Sequence, residues 1–417
     1  MSEHQSKPRV TAGLRGAGWD PKRMSRAFQT SPVALRTADD QRSLGLLYSQ
    51  TGQEKTVVCL MHPREFSGTP YLVPDVLDAG CAAWVQAPRS IGSDLRLEHE
   101  AALLDVAAGM VHLRKLGFER VVLLGNSGGA SLYAFYIQQS DLPPASRLSQ
   151  TPGGRPIDLA GADMPQADEL ILVSPHPGQG ALLMNALDPS VVDELDVFST
   201  DPALDPFDAA NGFAQPPQSS QYSADFVQRY RQAQRARAQR MDDLARELVA
   251  ERHQARKQVK AGNASAAMKR KAAHTPIMQM WRTDADLRCW DLSLDPSDRA
   301  VGTLWGRDPW ASNLGSVGFA RLLTPESWLS TWSGISSNAS FAKCSSAIEL
   351  PTQMIEYTGD QAAFPSDMSA IFENLASAHK ERHRVRGNHH GHALAEGESS
   401  GQVVAGKLIQ QWLQEKH

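Results

Sequence analysis

The chain has 417 residues, of which 41% are hydrophobic and 21% charged, enough apolar material to bury a sizeable core and too much for compositional disorder. Its 42 basic and 46 acidic residues leave a net charge of −4, so no polyanion-binding field covers the molecule and nucleic acid is not an expected partner. No apolar run nears the ~18–20 residues that span a bilayer, the N-terminus lacks the apolar core of a secretion signal, and the four cysteines show no CxxC spacing. A soluble protein of the reducing cytoplasm is expected, with neither a disulfide framework nor a structural zinc site and no membrane partner.

Residues 1–33 are polar and rich in Arg, Gly and Ser, and read as an N-terminal arm lying over the body. From Ala34 the pattern changes. Thr56–Met61, Ala82–Ala87, Val121–Leu124 and Leu170–Val173 are short apolar runs bounded by turn residues, and Gln353–Tyr357 repeats the pattern late in the chain. Runs this short, without alternation, predict strands buried on both faces, as in a parallel sheet covered by helices. Between them, Glu100–Leu116 places Leu103, Leu104, Ala107, Val111 and Leu113 on one helical stripe ahead of Gly117, and Ala130–Gln138 is a shorter helix. Strand, helix and strand in alternation predict an α/β fold with right-handed crossovers. Pro143–Asp168, rich in Pro, Gly and Ser, reads as a surface excursion.

Residues 181–347 break this rhythm. Ser223–Lys260 predicts a long helix or helix pair with an intermittent stripe of Phe226, Tyr230, Ala233, Met241, Leu244, Leu248 and Val259. Six of the nine tryptophans follow: Trp281, Trp290, Trp305, Trp310, Trp328 and Trp332. Because this stretch separates two sheet strands, it reads as a large, mainly helical insertion, leaving 34–180 and 348–417 as the body.

The strongest local signal is Leu123-Leu124-Gly125-Asn126-Ser127-Gly128-Gly129-Ala130, a buried strand running into Gly-x-Ser-x-Gly with a helical segment behind it. Such a turn strains the serine's backbone and demands small neighbours, so that strand and helix can approach. Gly125 and Gly129 meet that demand, and Gly128 lets its backbone N–H face the site. The letters Gly-Asn-Ser-Gly-Gly also resemble the serine motif of chymotrypsin-like proteases. There, however, histidine and aspartate precede the serine, whereas here the best partners follow it.

With these motifs the chain resembles the α/β-hydrolase-fold enzymes over its body: a mostly parallel sheet flanked by helices, here carrying a large inserted lid. The resemblance implies a serine nucleophile at Ser127, an acid after a late strand and a histidine near the C-terminus. Thr358-Gly359-Asp360 follows the last apolar run, which makes Asp360 the acid candidate; Gln361 and Ala362 cannot serve, and Asp367 is the fallback. Arg386-Gly387-Asn388-His389-His390-Gly391 resembles the family's Gly-x-x-His loop and places His390 as the base, ahead of His389 and His392. His379 and His383 have the i, i+4 spacing of a zinc helix, but no H-E-x-x-H pattern and no obvious third ligand accompany them. No metal or cofactor is therefore expected.

The family's oxyanion hole takes one backbone N–H from the residue after the nucleophile, Gly128, and one from an early loop that often begins His-Gly. Here that loop reads His62-Pro63-Arg64-Glu65. Pro63 has no N–H to give, so Arg64 is the expected second donor and His62 a supporting residue. The resemblance implies hydrolysis of an ester or thioester of a hydrophobic acyl or aromatic small molecule. Two alternatives stand beside it. One is carbon–carbon bond hydrolysis of a diketone-like ring-cleavage product, since Gly-Asn-Ser with a following glycine resembles the elbow of the meta-cleavage-product hydrolases. The other is a catalytically silent ligand-binding member of the fold. The oligomeric state, a homo-oligomer included, stays open.

Overall fold

The computed structural model describes residues 27–66 and 70–415. Most of the expected arm, 1–26, lies outside the described residues, and from Gln29 the chain is already strand. Eight strands form one sheet: β1 (Gln29–Arg36), β2 (Arg42–Ser49), β3 (Thr56–Met61), β4 (Ala82–Ala87), β5 (Arg120–Asn126), β6 (Glu169–Val173), β7 (Thr352–Tyr357) and β8 (Lys380–Val385). Their order is β1-β2-β4-β3-β5-β6-β7-β8. The pairs β1–β2 and β2–β4 are antiparallel; from β4 to β8 every pair is parallel.

The central strands are apolar on both faces because each face meets a core of its own. Val57, Cys59, Val121, Leu123, Leu170 and Leu172 point to one core, with residues of α2 (His99–Lys115) and α3 (Gly128–Asp141). Val58, Leu60, Val122, Leu124, Ile171 and Val173 point to the other, where α1 (Val73–Asp78) and the C-terminal helix Gly401–Gln414 lie. This is the two-sided burial that reads as unbroken hydrophobic runs. The stretch 143–168 is more than an excursion over the surface, since Ile157, Leu159 and Met164 join the first core.

Between β6 and β7 the chain adds no strand to the sheet. It forms α4 (Gln179–Ala186), the 37-residue α5 (Ala224–Lys260), one short hairpin (191–200), a two-residue antiparallel pairing of 278–279 with 322–323, and several short helices. The predicted helix or helix pair is thus one helix, capped by Ser223, whose hydroxyl accepts from the Phe226 N–H at 3.2 Å. Its buried face runs through Phe226, Tyr230, Gln234, Arg237, Met241 and Ala245, while Leu244 and Val259 point to solvent. Arg237 is fully buried, and its guanidinium holds Glu194 at 2.6 and 2.7 Å. Trp290, Trp328 and Trp332 fill apolar clusters within this region.

The insertion is joined to the body along the segment leading into α2. Thr324 and Thr331 donate to the carbonyls of Leu95 and Leu97 at 3.0 and 2.9 Å, and the His99 N–H donates to Ser330 Oγ at 2.9 Å. Ser330 and Asn338 bind the buried Glu100 carboxylate. Among the described residues, no helix is long and apolar enough to cross a membrane.

Candidate active site

The residues singled out in the sequence gather at the carboxyl ends of the parallel strands, where the crevice of an open α/β sheet lies. His62 follows β3, Ser127 follows β5, His176 follows β6, Asp360 follows β7 and His389 follows β8. Ser127 has φ 54° and ψ −122°, a conformation that L-residues seldom adopt, and α3 begins at the next residue. The glycines around it are dictated by contact. A Cβ on Gly125 would lie 2.5 Å from Ala130 Cα, and one on Gly129 would lie 2.4 Å from the Met61 carbonyl oxygen. Strand, turn and helix are pressed together at these two points, so the small residues predicted there are a steric necessity.

His389 Nε2 lies 3.0 Å from Ser127 Oγ, and His389 Nδ1 lies 2.7 Å from Asp360 Oδ2. The other Asp360 oxygen accepts from the backbone N–H groups of Ala362 and Ala363 at 2.7 and 3.1 Å, which locks the carboxylate's orientation. The sequence placed His390 opposite Ser127; the structure puts its neighbour His389 there. The reason is the turn after β8, where Asn388 Oδ1 accepts from the N–H groups of both His390 and His392 at 3.0 Å. That clamp turns the ring of His389 toward the serine. The ring of His390 packs edge-on against it, 4.9 Å between centroids, and its Nδ1 is buried without a hydrogen-bond partner among the described residues. Burial, and then the neighbouring His389, push the His390 ring down to about 3, so it stays neutral. His392 is exposed. Asp367 lies away from the serine, paired with Arg288 at 3.0 Å. His379 and His383 flank or lie on strand β8, so the spacing that suggested a helix face does not place them on one.

Gly128 opens α3, and a helix's first N–H groups have no intrahelical acceptor, so its amide is available to the site. Arg64 does not share that place. Its backbone N–H donates to His62 Nδ1 at 3.2 Å, and its guanidinium is bound to Asp94 at 2.6 Å and Glu65 at 2.7 Å. The carboxylates hold that guanidinium above its ordinary pKa, so it remains a cation.

Two cavities of about 60 Å³ each meet at Ser127. One runs under the strand ends past Met61, Phe66 and Tyr71. The other is walled by His62, His176, His389 and His390 from the body and by Leu182, Leu304, Trp305 and Phe319 from the insertion. Trp305 meets Phe319 edge-on, with centroids 5.2 Å apart, so one of the six tryptophans lines the site while Trp290, Trp328 and Trp332 fill cores. Sequence reasoning passed over His176, which is buried here and pushed down to about 3 by burial and then by His389. Its position just after a parallel strand was the signal available for finding it. Among the described residues, no group of three or more His, Cys, Asp or Glu side chains is arranged to hold a metal ion.

No protein-family model matches the chain, and no curated protein matches its sequence. Among solved structures it is similar to DcsB in complex with its substrate analogue, at 12% identity and a TM-score of 0.50, covering 94% of this chain and 100% of that one. It is also similar to the α/β hydrolase GrgF from Penicillium sp. sh18, at 11% identity and a TM-score of 0.48 over 92% of this chain and 98% of that one. The esterase Pf2001 from Pyrococcus furiosus is a third, at 12% identity and a TM-score of 0.42 over 98% and 100%. A mostly parallel eight-stranded sheet with helices on both faces, and a sharp turn after β5 leading straight into α3, make this an α/β-hydrolase fold.

Proposed function

We propose that the protein is a serine hydrolase that cleaves an ester or thioester of a hydrophobic acyl or aromatic small molecule through an acyl-enzyme. The observation that carries this reading is the continuous hydrogen-bonded path from Ser127 Oγ through the His389 ring to Asp360. In this scheme His389 Nε2 takes the hydroxyl proton as Oγ attacks the acyl carbon, then returns it to the leaving group. Asp360 keeps the Nδ1–H tautomer in place and stabilises the imidazolium. The Gly128 N–H faces the charge that develops on the acyl oxygen. Water then attacks the acyl-enzyme with His389 as base, and Ser127 leaves as the hydroxyl; the scheme uses no cofactor. Leu182, Leu304, Trp305 and Phe319 give the cavity an apolar wall suited to an acyl chain or an aromatic ring.

A fluorophosphonate probe tests the reading directly. Covalent labelling on Ser127, with loss of both the label and nitrophenyl-ester hydrolysis in Ser127→Ala, is expected. Retention of most of the turnover by Ser127→Ala would sink it.

A further inference from the structure

The inference that follows rests on the acyl-transfer reading and supplies the donor that reading lacks. An oxyanion forming beside Ser127 has the Gly128 N–H on one side, and an efficient site offers a second donor. At residues 63–65 the loop after β3 offers none from its backbone. Pro63 has no N–H, and the amides of Arg64 and Glu65 both donate to His62 Nδ1, at 3.2 and 3.0 Å.

Those two bonds settle the state of the imidazole. Nδ1 must present a lone pair to both amides, because a proton there would face two N–H groups head-on. The single proton of the neutral ring therefore sits on Nε2, which makes that nitrogen a donor. Burial, with His176 and Arg64 nearby, also holds the ring's pKa well below the ordinary histidine value, in keeping with a neutral ring.

Nε2 has no hydrogen-bond partner among the described residues. It lies 2.6 Å from where a Cβ on Gly128 would stand, and the ring lines both cavities that meet at Ser127. The glycine after the nucleophile is thus the residue that makes room for this ring. We infer that His62 Nε2–H is the second oxyanion donor, a catalytic residue that stands in for the backbone N–H missing at Pro63. During attack the acyl C=O π pair moves onto oxygen and is held by Gly128 N–H and His62 Nε2–H. When the tetrahedral intermediate collapses the pair returns to carbon, and neither donor loses its proton.

Two substitutions separate this role from a merely structural one. In His62→Asn the side-chain oxygen can take the place of Nδ1 and keep the amides of Arg64 and Glu65 bound, but nothing reaches the position of Nε2. In His62→Gln an amide N–H reaches that position instead. With p-nitrophenyl butyrate as the probe substrate, His62→Asn is expected to lower kcat by about 10²-fold or more with KM within about threefold. His62→Gln should recover at least about tenfold of that loss. A smaller fall in His62→Asn, or equal impairment of the two variants, would overturn the assignment. Should His62→Asn fail to melt cooperatively by circular dichroism, His62→Gln decides alone: kcat within about tenfold of the parent supports the proposal, and a larger loss in a folded protein overturns it. Ser127→Ala, run alongside, separates the two levels of the argument. If it keeps hydrolysis, the acyl-transfer reading falls and the donor role with it; if it loses hydrolysis while His62→Asn does not, the donor role alone falls.

Discussion

His389 and His390 are chain neighbours facing one cavity, and they differ chemically through what each ring meets. His389 is held between a hydroxyl and a carboxylate; the buried Nδ1 of His390 has no hydrogen-bond partner among the described residues. The pair therefore makes a sharp test. His389→Gln is expected to lower kcat for a nitrophenyl ester by about 10³-fold or more, whereas His390→Gln should cost far less, about tenfold at most. Equal losses in steady-state assays would show that the ring facing Ser127 had been misidentified. The sequence pointed to this loop but not to the ring that meets Ser127, because the Gly-x-x-His spacing says nothing of the Asn388 side chain that sets the turn. Asp360 was legible because it closely follows the apolar run of β7, and of the two Gly-x-Ser-x-Gly stretches, 125–129 and 397–401, only the first is preceded by a buried strand. At His99 the same physics governs stability. Burial lowers its pKa to about 4, so the unfolded chain takes up a proton that the folded chain refuses. The sign follows: the contribution is complete above pH 6.5 and is lost as pH falls toward 4. Across that window the parent should lose about 3 kcal/mol of unfolding free energy relative to His99→Phe, measured by denaturant titration at each pH.

The element most visible in the sequence was the β5–turn–α3 unit, because its strand is buried on both faces and its turn admits only small residues. A methyl group tests this at the tightest point. Gly129→Ala must push against the Met61 carbonyl oxygen at 2.4 Å, backbone against backbone, and is expected to destabilise the fold by about 1–3 kcal/mol, read as a lower melting temperature. An unchanged melt would mean that the turn is looser than described. The edge strands were hidden by the same reasoning that revealed the central ones. β1 and β2 are mostly half-buried or exposed, and β8 is polar from Lys380 through Glu381, Arg382 and His383 to Arg384, so none reads as a strand buried on both faces. Helix α5 was legible in extent, but its buried face includes Gln234, Arg237 and Asp242, polar residues that pair with carbonyls and side chains of the insertion rather than with water. Periodicity of apolar residues cannot show that, because these polar groups find their partners only after the chain has folded.

At the scale of the molecule, body and insertion meet around one cavity. The body supplies Ser127, His389, Asp360 and His62, while the insertion supplies Leu182, Leu304, Trp305 and Phe319 as the opposing wall. A tryptophan-rich segment could be recognised from composition as something added between strands. Which ring would reach the cavity could not, since Trp305 earns its place through long-range packing with Phe319. The contacts between the segment leading into α2 and residues 324–338 carry a further consequence. Hydroxyls and an amide of the insertion are spent on backbone groups and on the buried carboxylate of Glu100, and parting the two halves would break those bonds together and expose Leu97 with the insertion side chains packed on it. A roof riveted at this edge is expected to stay shut on meeting an oil–water boundary. Hydrolysis of a sparingly soluble ester should therefore rise smoothly through its solubility limit, with no jump as droplets form, and an abrupt acceleration there would show that the rivets give way.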